Sequence, residues 1–345
     1  MMVLFLLATL FVCLYKIRIA PKGTLFSTYA DQKNTVLWQG IFVILVFFRH
    51  LAEYLNDISM FDHAFFLSEK VIGQMMVGAF LFLSGFGIMQ SFQTKPHYLD
   101  TFWKRFLRVL IPFDAAVAIY LIAGLIMGDS YPLHHILLSF IGFHSVGNSC
   151  WCIFAVLVAY VLFYLCFRFI KKTDCAIACF IASSIVYCVL IGTVKEDFWY
   201  STFLCFAVGI MYSRFKRRID QKVMAPGRYL PIVLALFIFT AVFNVARYES
   251  VIFYIIAAIL FCLCMMTLSM KVLPYENNQV LRFLGQHTFG IYILQRIPMN
   301  LIQHYCPGGY NNFVFSIICF AATILLAWAF DAALGRVLRK IGVIK

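Results

Sequence analysis

The sequence predicts an all-α integral membrane protein, a bundle of about ten to eleven transmembrane helices with the N-terminus outside and the C-terminus inside. Three observations predict it. Hydrophobic residues make up 63% of the chain and charged residues 12%, with a mean hydropathy of +0.89, whereas a soluble domain keeps apolar residues near half. Continuous apolar runs of helix length fall at about 1–19, 36–55, 71–92, 107–127, 150–170, 175–193, 199–213, 230–246, 250–270, 282–304 and 313–333. They do not alternate, so a membrane β-barrel is excluded. Finally, all but five of the 28 Lys and Arg (Arg49, Lys70, Lys195, Arg247, Arg296) lie in every second connection or beside it, and the positive-inside rule assigns those connections to the cytoplasm.

Each element follows from that frame. The run at the N-terminus has no basic residue before it and has Lys16, Arg18 and Lys22 after it, the reverse of a cleavable signal peptide, so residues 1–22 are expected to remain as an extra helix. The longest connections, about 56–70, 128–149 and 214–229, are too short for a soluble domain. The outer connection 128–149 is itself half apolar, which suits a re-entrant or interfacial segment roofing a cavity near His50. Residues 336–345 form a basic cytoplasmic tail. The formal charge of +13 is spread over alternate loops, not gathered into a nucleic-acid face, so the bilayer is the partner it reports. Most of the twelve cysteines sit inside apolar runs without metal-ligand spacing and read as small hydrophobes; one bridge among Cys150, Cys152 and Cys306 is compatible with their places near run ends.

The run Trp38–His50, WQGIFVILVFFRH, carries Gln39 near its start and His50 eleven residues on. Eleven residues are just over three turns at about 3.6 residues per turn, so the two share a face about 16 Å apart in rise. A histidine within a membrane helix is costly and marks a bundle interior or a wet cavity. Arg49 stands beside it, and Glu53, Tyr54 and Asp57 follow at spacings of three, four and seven. A carboxylate one turn on, Glu53, suits the holding of an imidazole that acts as general base; the alternative is a histidine that only hydrogen-bonds at an interface.

Four further signals stand out, and the first three each have a bland counterpart. Arg105 and Arg108, three apart at the cytoplasmic start of a helix, suit phosphate binding or plain snorkelling. Ser84-Gly85 leaves a notch that admits a slender ligand or a neighbouring backbone. Trp151 opens a helix at the outer interface, as an aromatic-belt residue also would. Arg296 needs a partner in the outer half of a span, and Pro298 frees the Leu294 carbonyl, so that helix is expected to be irregular beside a cavity.

Taken in order, these pieces resemble the membrane acyltransferase 3 family of bacterial inner-membrane O-acyltransferases, over roughly residues 35–335. The family's early basic residue, ten intervening residues and histidine align with Gln39 to His50. Its serine-glycine-phenylalanine signature is similar to Phe82-Leu83-Ser84-Gly85-Phe86, and its arginine pair to Arg105 and Arg108, with Pro112 following. Trp151 matches the tryptophan that opens a mid-chain helix, and Leu284-Gly285, Thr288 and Ile291-Tyr292 match the late pattern. Gln39 departs from the usual basic residue, Gln295 stands where a histidine is frequent, and the first segment exceeds the usual ten helices.

The resemblance implies transfer of a small acyl group, commonly acetyl, from cytosolic acyl-CoA to a hydroxyl of an exported or lipid-linked saccharide. It implies His50 as the catalytic histidine, beside which Glu53 stands as the catalytic partner by its spacing alone. Arg105, Arg108, Ser84, Gly85 and Gln39 would lie along the donor, with Trp151, Tyr292 and Arg296 on the acceptor side. No permanently bound cofactor or metal is implied. Two other classes fit the same residues: a transporter or flippase using His50 and Arg296 as a relay, and a non-catalytic member of a polysaccharide assembly complex.

Overall fold

The fold is that of a computed structural model describing residues 2–55, 62–307 and 309–344. Asp57 and Lys345 lie outside the described residues. Among the described residues, fifteen α-helices follow one another: α1 (Val3–Leu14), α2 (Gln32–Leu51), α3 (His63–Ile72), α4 (Met75–Thr94), α5 (Phe102–Met127), α6 (Leu133–Phe140), α7 (Trp151–Phe169), α8 (Thr173–Gly192), α9 (Leu204–Met224), α10 (Tyr229–Ala246), α11 (Val251–Ser269), α12 (Gln279–Gln286), α13 (Thr288–Leu294), α14 (Arg296–Tyr305) and α15 (Asn312–Lys340). Two short strands, β1 (Arg18–Ile19) and β2 (Val272–Leu273), pair antiparallel.

Among the described residues, eight helices are long and apolar enough to cross a membrane: α2, α4, α5, α7, α8, α10, α11 and α15. The chain is an all-α membrane bundle. Three of the eleven apolar runs take another form. The first is a helix of 12 residues, about 18 Å at 1.5 Å per residue, and so shorter than a bilayer core of about 30 Å. The run at 199–213 continues as α9 through Arg214, Lys216, Arg217 and Arg218, so its second half is charged. The run at 282–304 breaks at His287 and again at Gln295 into α12, α13 and α14. The second break precedes Pro298, which has no N–H to return to the Leu294 carbonyl.

Small residues set the closest helix crossings. A Cβ on Gly85 of α4 would run into the Phe206 carbonyl of α9, and one on Gly209 of α9 into the Phe82 carbonyl of α4. Gly40 of α2 and Gly285 of α12 meet the Leu281 and Val36 carbonyls in the same way. With lipid on the outside, such backbone approach replaces hydrophobic exclusion as the source of helix association. The C-terminal ends of α2 and α10 meet the N-terminal ends of α4, α7 and α11 at one end of the bundle. That shared end encloses a cavity of about 1090 Å³. The connection 128–149 contributes α6 and then a turn whose residues Ser145 and Gly147–Ser149 form part of the cavity wall.

Candidate active site

His50 occupies the last turn of α2 with its side chain 13% exposed, facing the cavity. The break before α14 brings Arg296 across to it. The Arg296 guanidinium donates from Nη2 to His50 Nδ1 at 2.7 Å and to Glu53 Oε2 at 2.5 Å, from Nε to Ser149 Oγ at 2.9 Å, and from Nη1 to Tyr54 Oη at 3.2 Å. Ser149 Oγ is also 3.2 Å from His50 Nε2. Tyr54 donates to Asn300 Oδ1 at 2.6 Å, and Arg49 pairs with Glu53 at 3.2 Å. Four separate segments, the end of α2, the turn after it, the turn before α7 and the start of α14, thus meet on one guanidinium.

Glu53 reaches the imidazole chiefly through Arg296: its own approach to His50 Nδ1 is 3.8 Å, beyond a hydrogen bond. Its carboxyl is held down at about 2. Burial would raise it, but the neighbouring His50 and the Arg296 charge outweigh that effect. An ionised Glu53 therefore anchors the arginine at any physiological pH.

His50, Glu53, Trp151 and Arg296 line the same cavity, together with Phe198, Trp199, Tyr248 and Tyr254, which give it an aromatic wall, and Glu196 and Asp197 at its rim. Tyr292 lies behind His50, ring centroids 6.4 Å apart, with its hydroxyl buried. Gln295 is fully buried, donating to the Tyr292 carbonyl at 3.0 Å, and its Oε1 has no partner among the described residues.

The donor-side candidates separate. Ser84 Oγ lies 3.1 Å from Tyr160 Oη, to which Arg105 Nε donates at 3.3 Å, and Arg105 Nη1 donates to Tyr98 Oη at 3.4 Å. These four residues form a polar cluster inside the bundle. Arg108, three residues on, is exposed and turns elsewhere: its Nε and Nη2 both donate to the Val343 carbonyl, at 3.1 and 2.9 Å. The two arginines do not converge on one ligand position. Gly85 does not line the cavity either, because the α9 backbone fills its notch. Gln39 is half-buried in α2, three turns from His50. Cys150, Cys152 and Cys306 are free thiols, so no bridge joins them.

Three contributors are absent from the sequence analysis. Ser149 sits in an ordinary turn, and Tyr160 is one of 18 tyrosines. Asn300 did carry a signal, standing one helical turn after Arg296.

A family model described as an acyltransferase domain matches residues 37–332. No curated protein and no solved structure matches.

Proposed function

The chain belongs to the acyltransferase 3 family, and from that premise we propose that it transfers a small acyl group, acetyl in the simplest case, from cytosolic acyl-CoA to a hydroxyl of an exported or lipid-linked saccharide. The protein is a multi-pass membrane acyltransferase; the bacterial inner membrane, the donor and the acceptor belong to the proposal. The observation that carries it is the convergence of His50, Arg296, Glu53 and Ser149 on a cavity walled by aromatic side chains. Aromatic faces with carboxylates at the rim suit a saccharide, whose C–H face is apolar and whose edge is a ring of hydroxyls.

In this reading His50 removes the proton of the acceptor hydroxyl, and the oxygen bonds to the thioester carbonyl carbon. The C–S bond then breaks and the proton passes to the CoA sulfur, so an ester and a free thiol leave. Arg296, held by Glu53, supplies positive charge for the oxyanion formed between those steps. The polar cluster of Ser84, Tyr160, Arg105 and Tyr98, deeper in the bundle, lies along the donor's route from the cytoplasm.

The test is thiol release from acyl-CoA by the protein in proteoliposomes, with and without saccharide acceptor. Acceptor-dependent release that disappears in His50→Ala is the expected result. Movement of a saccharide across the bilayer without any thiol release would identify a transporter instead.

A further inference from the structure

We infer that Ser149 is a positioning residue that holds the His50 ring by accepting its Nε2–H, in the tautomer that Arg296 imposes and that leaves Nδ1 as the nitrogen able to take a proton; the inference rests on the reading of His50 as the base. A guanidinium has five N–H donors and no lone pair to offer. Since Arg296 Nη2 stands 2.7 Å from His50 Nδ1, that nitrogen accepts, and the neutral ring carries its hydrogen on Nε2. The Nε2–H finds Ser149 Oγ at 3.2 Å. The same oxygen accepts the Nε–H of Arg296 at 2.9 Å, so both of its lone pairs are used and one hydroxyl fixes ring and arginine together. Ser149 is 6% exposed, which leaves little water to substitute for it.

Two consequences follow from this arrangement. The Ser149 and His50 pair is not a nucleophile with its base, because Nε2 already holds a proton and cannot take the serine's. Arg296 also covers the basic nitrogen, so an incoming hydroxyl reaches Nδ1 only by displacing Nη2. The guanidinium keeps its hold on Ser149 and Tyr54 while it yields. The other charged groups facing the ring are Glu53, at 3.8 Å, and Arg49, which is itself paired with Glu53.

The experiment is nitrogen NMR of the full chain in lipid nanodiscs, labelled with ¹⁵N-histidine, alongside steady-state kinetics. The chain has eight histidines, and the His50 signals are those missing from His50→Gln. The wild type is expected to show the Nε2–H tautomer at His50. In Ser149→Ala the tautomer should remain Nε2–H, because Arg296 still donates to Nδ1, but the Nε2 signal should shift on losing its acceptor and kcat should fall roughly tenfold, the size of one lost hydrogen bond to a buried group. The KM for the donor should stay within about twofold, since the lost contact is not a donor contact. Ser149→Thr, which keeps the hydroxyl, should restore both readouts. An Nδ1–H tautomer in the wild type overturns the inference without any variant at 149. An unchanged Nε2 signal and kcat in Ser149→Ala overturn it as well. Transfer that survives His50→Gln instead overturns the reading of His50 as base, and the inference with it.

Discussion

Arg296 donates to the Nδ1 of His50 at 2.7 Å although 246 positions separate the two residues in the chain. Neither residue is satisfied within its own helix. Each is costly to place in an apolar bundle, and the break between α13 and α14 lets them meet. The same guanidinium holds Glu53 and Ser149, so the site rests on one side chain.

Replacing Arg296 should therefore remove function without removing the fold. Arg296→Lys is expected to lower transfer roughly a hundredfold, the scale of losing one donor to a developing oxyanion. A lysine ammonium cannot span His50, Glu53, Ser149 and Tyr54 at once. Turnover at matched membrane levels of wild type and variant is the check.

Arg105 and Arg108 should part company. On the proposed donor route, Arg105→Ala is expected to raise the KM for acyl-CoA roughly tenfold, as loss of a charge-assisted contact would. Arg108→Ala should leave that KM within about twofold and instead release the C-terminal tail from the Val343 contact, read as faster proteolysis near residues 341–344.

Much of this architecture is legible in the sequence because the bilayer imposes length. Runs such as 107–127 and 313–333 have few other ways to satisfy twenty apolar residues and their backbone, and both become single helices. The run at 282–304 looks the same in composition, yet it breaks, because Pro298 and the junction at His287 interrupt the helical ladder. His50 and Arg296 are legible as polar residues paying a cost in apolar surroundings. Ser149 is not, since a serine in a turn costs nothing locally and its value arises from a partner 99 positions away. The spacing of Arg105 and Arg108 correctly implies one helix, but not that the tail folds back through Gly342, at φ +70°, to occupy the second of them. Gly85 announces a close approach without saying whose; the answer is α9.

That answer makes Gly85 a stability residue. Gly85→Leu is expected to destabilise the bundle by about 1–3 kcal/mol or more, because the Phe206 carbonyl is backbone and cannot step aside. Loss of the monodisperse peak in size-exclusion chromatography, or a lowered Tm in detergent, measures it.

Glu53 sets the acid dependence. Its folded-state pKa of about 2 lies below the ordinary glutamate value of about 4.3, so the stability it contributes is complete above the latter and is lost as pH falls toward the former. Wild type should accordingly lose Tm between pH 5 and pH 3 by more than Glu53→Gln does, with the variant already lower at pH 5. Thermal unfolding at those two pH values decides it.

Acyl transfer at His50 to a surface saccharide leaves its mass on the acceptor. The most direct measurement is mass spectrometry of cell-surface glycans from a deletion strain complemented with wild type or with His50→Ala at equal membrane levels. An acyl mass increment present with wild type and absent with His50→Ala is the predicted result, and its value names the group transferred. Spectra that are identical for wild type, His50→Ala and the uncomplemented deletion, with the glycans fully covered, would contradict it.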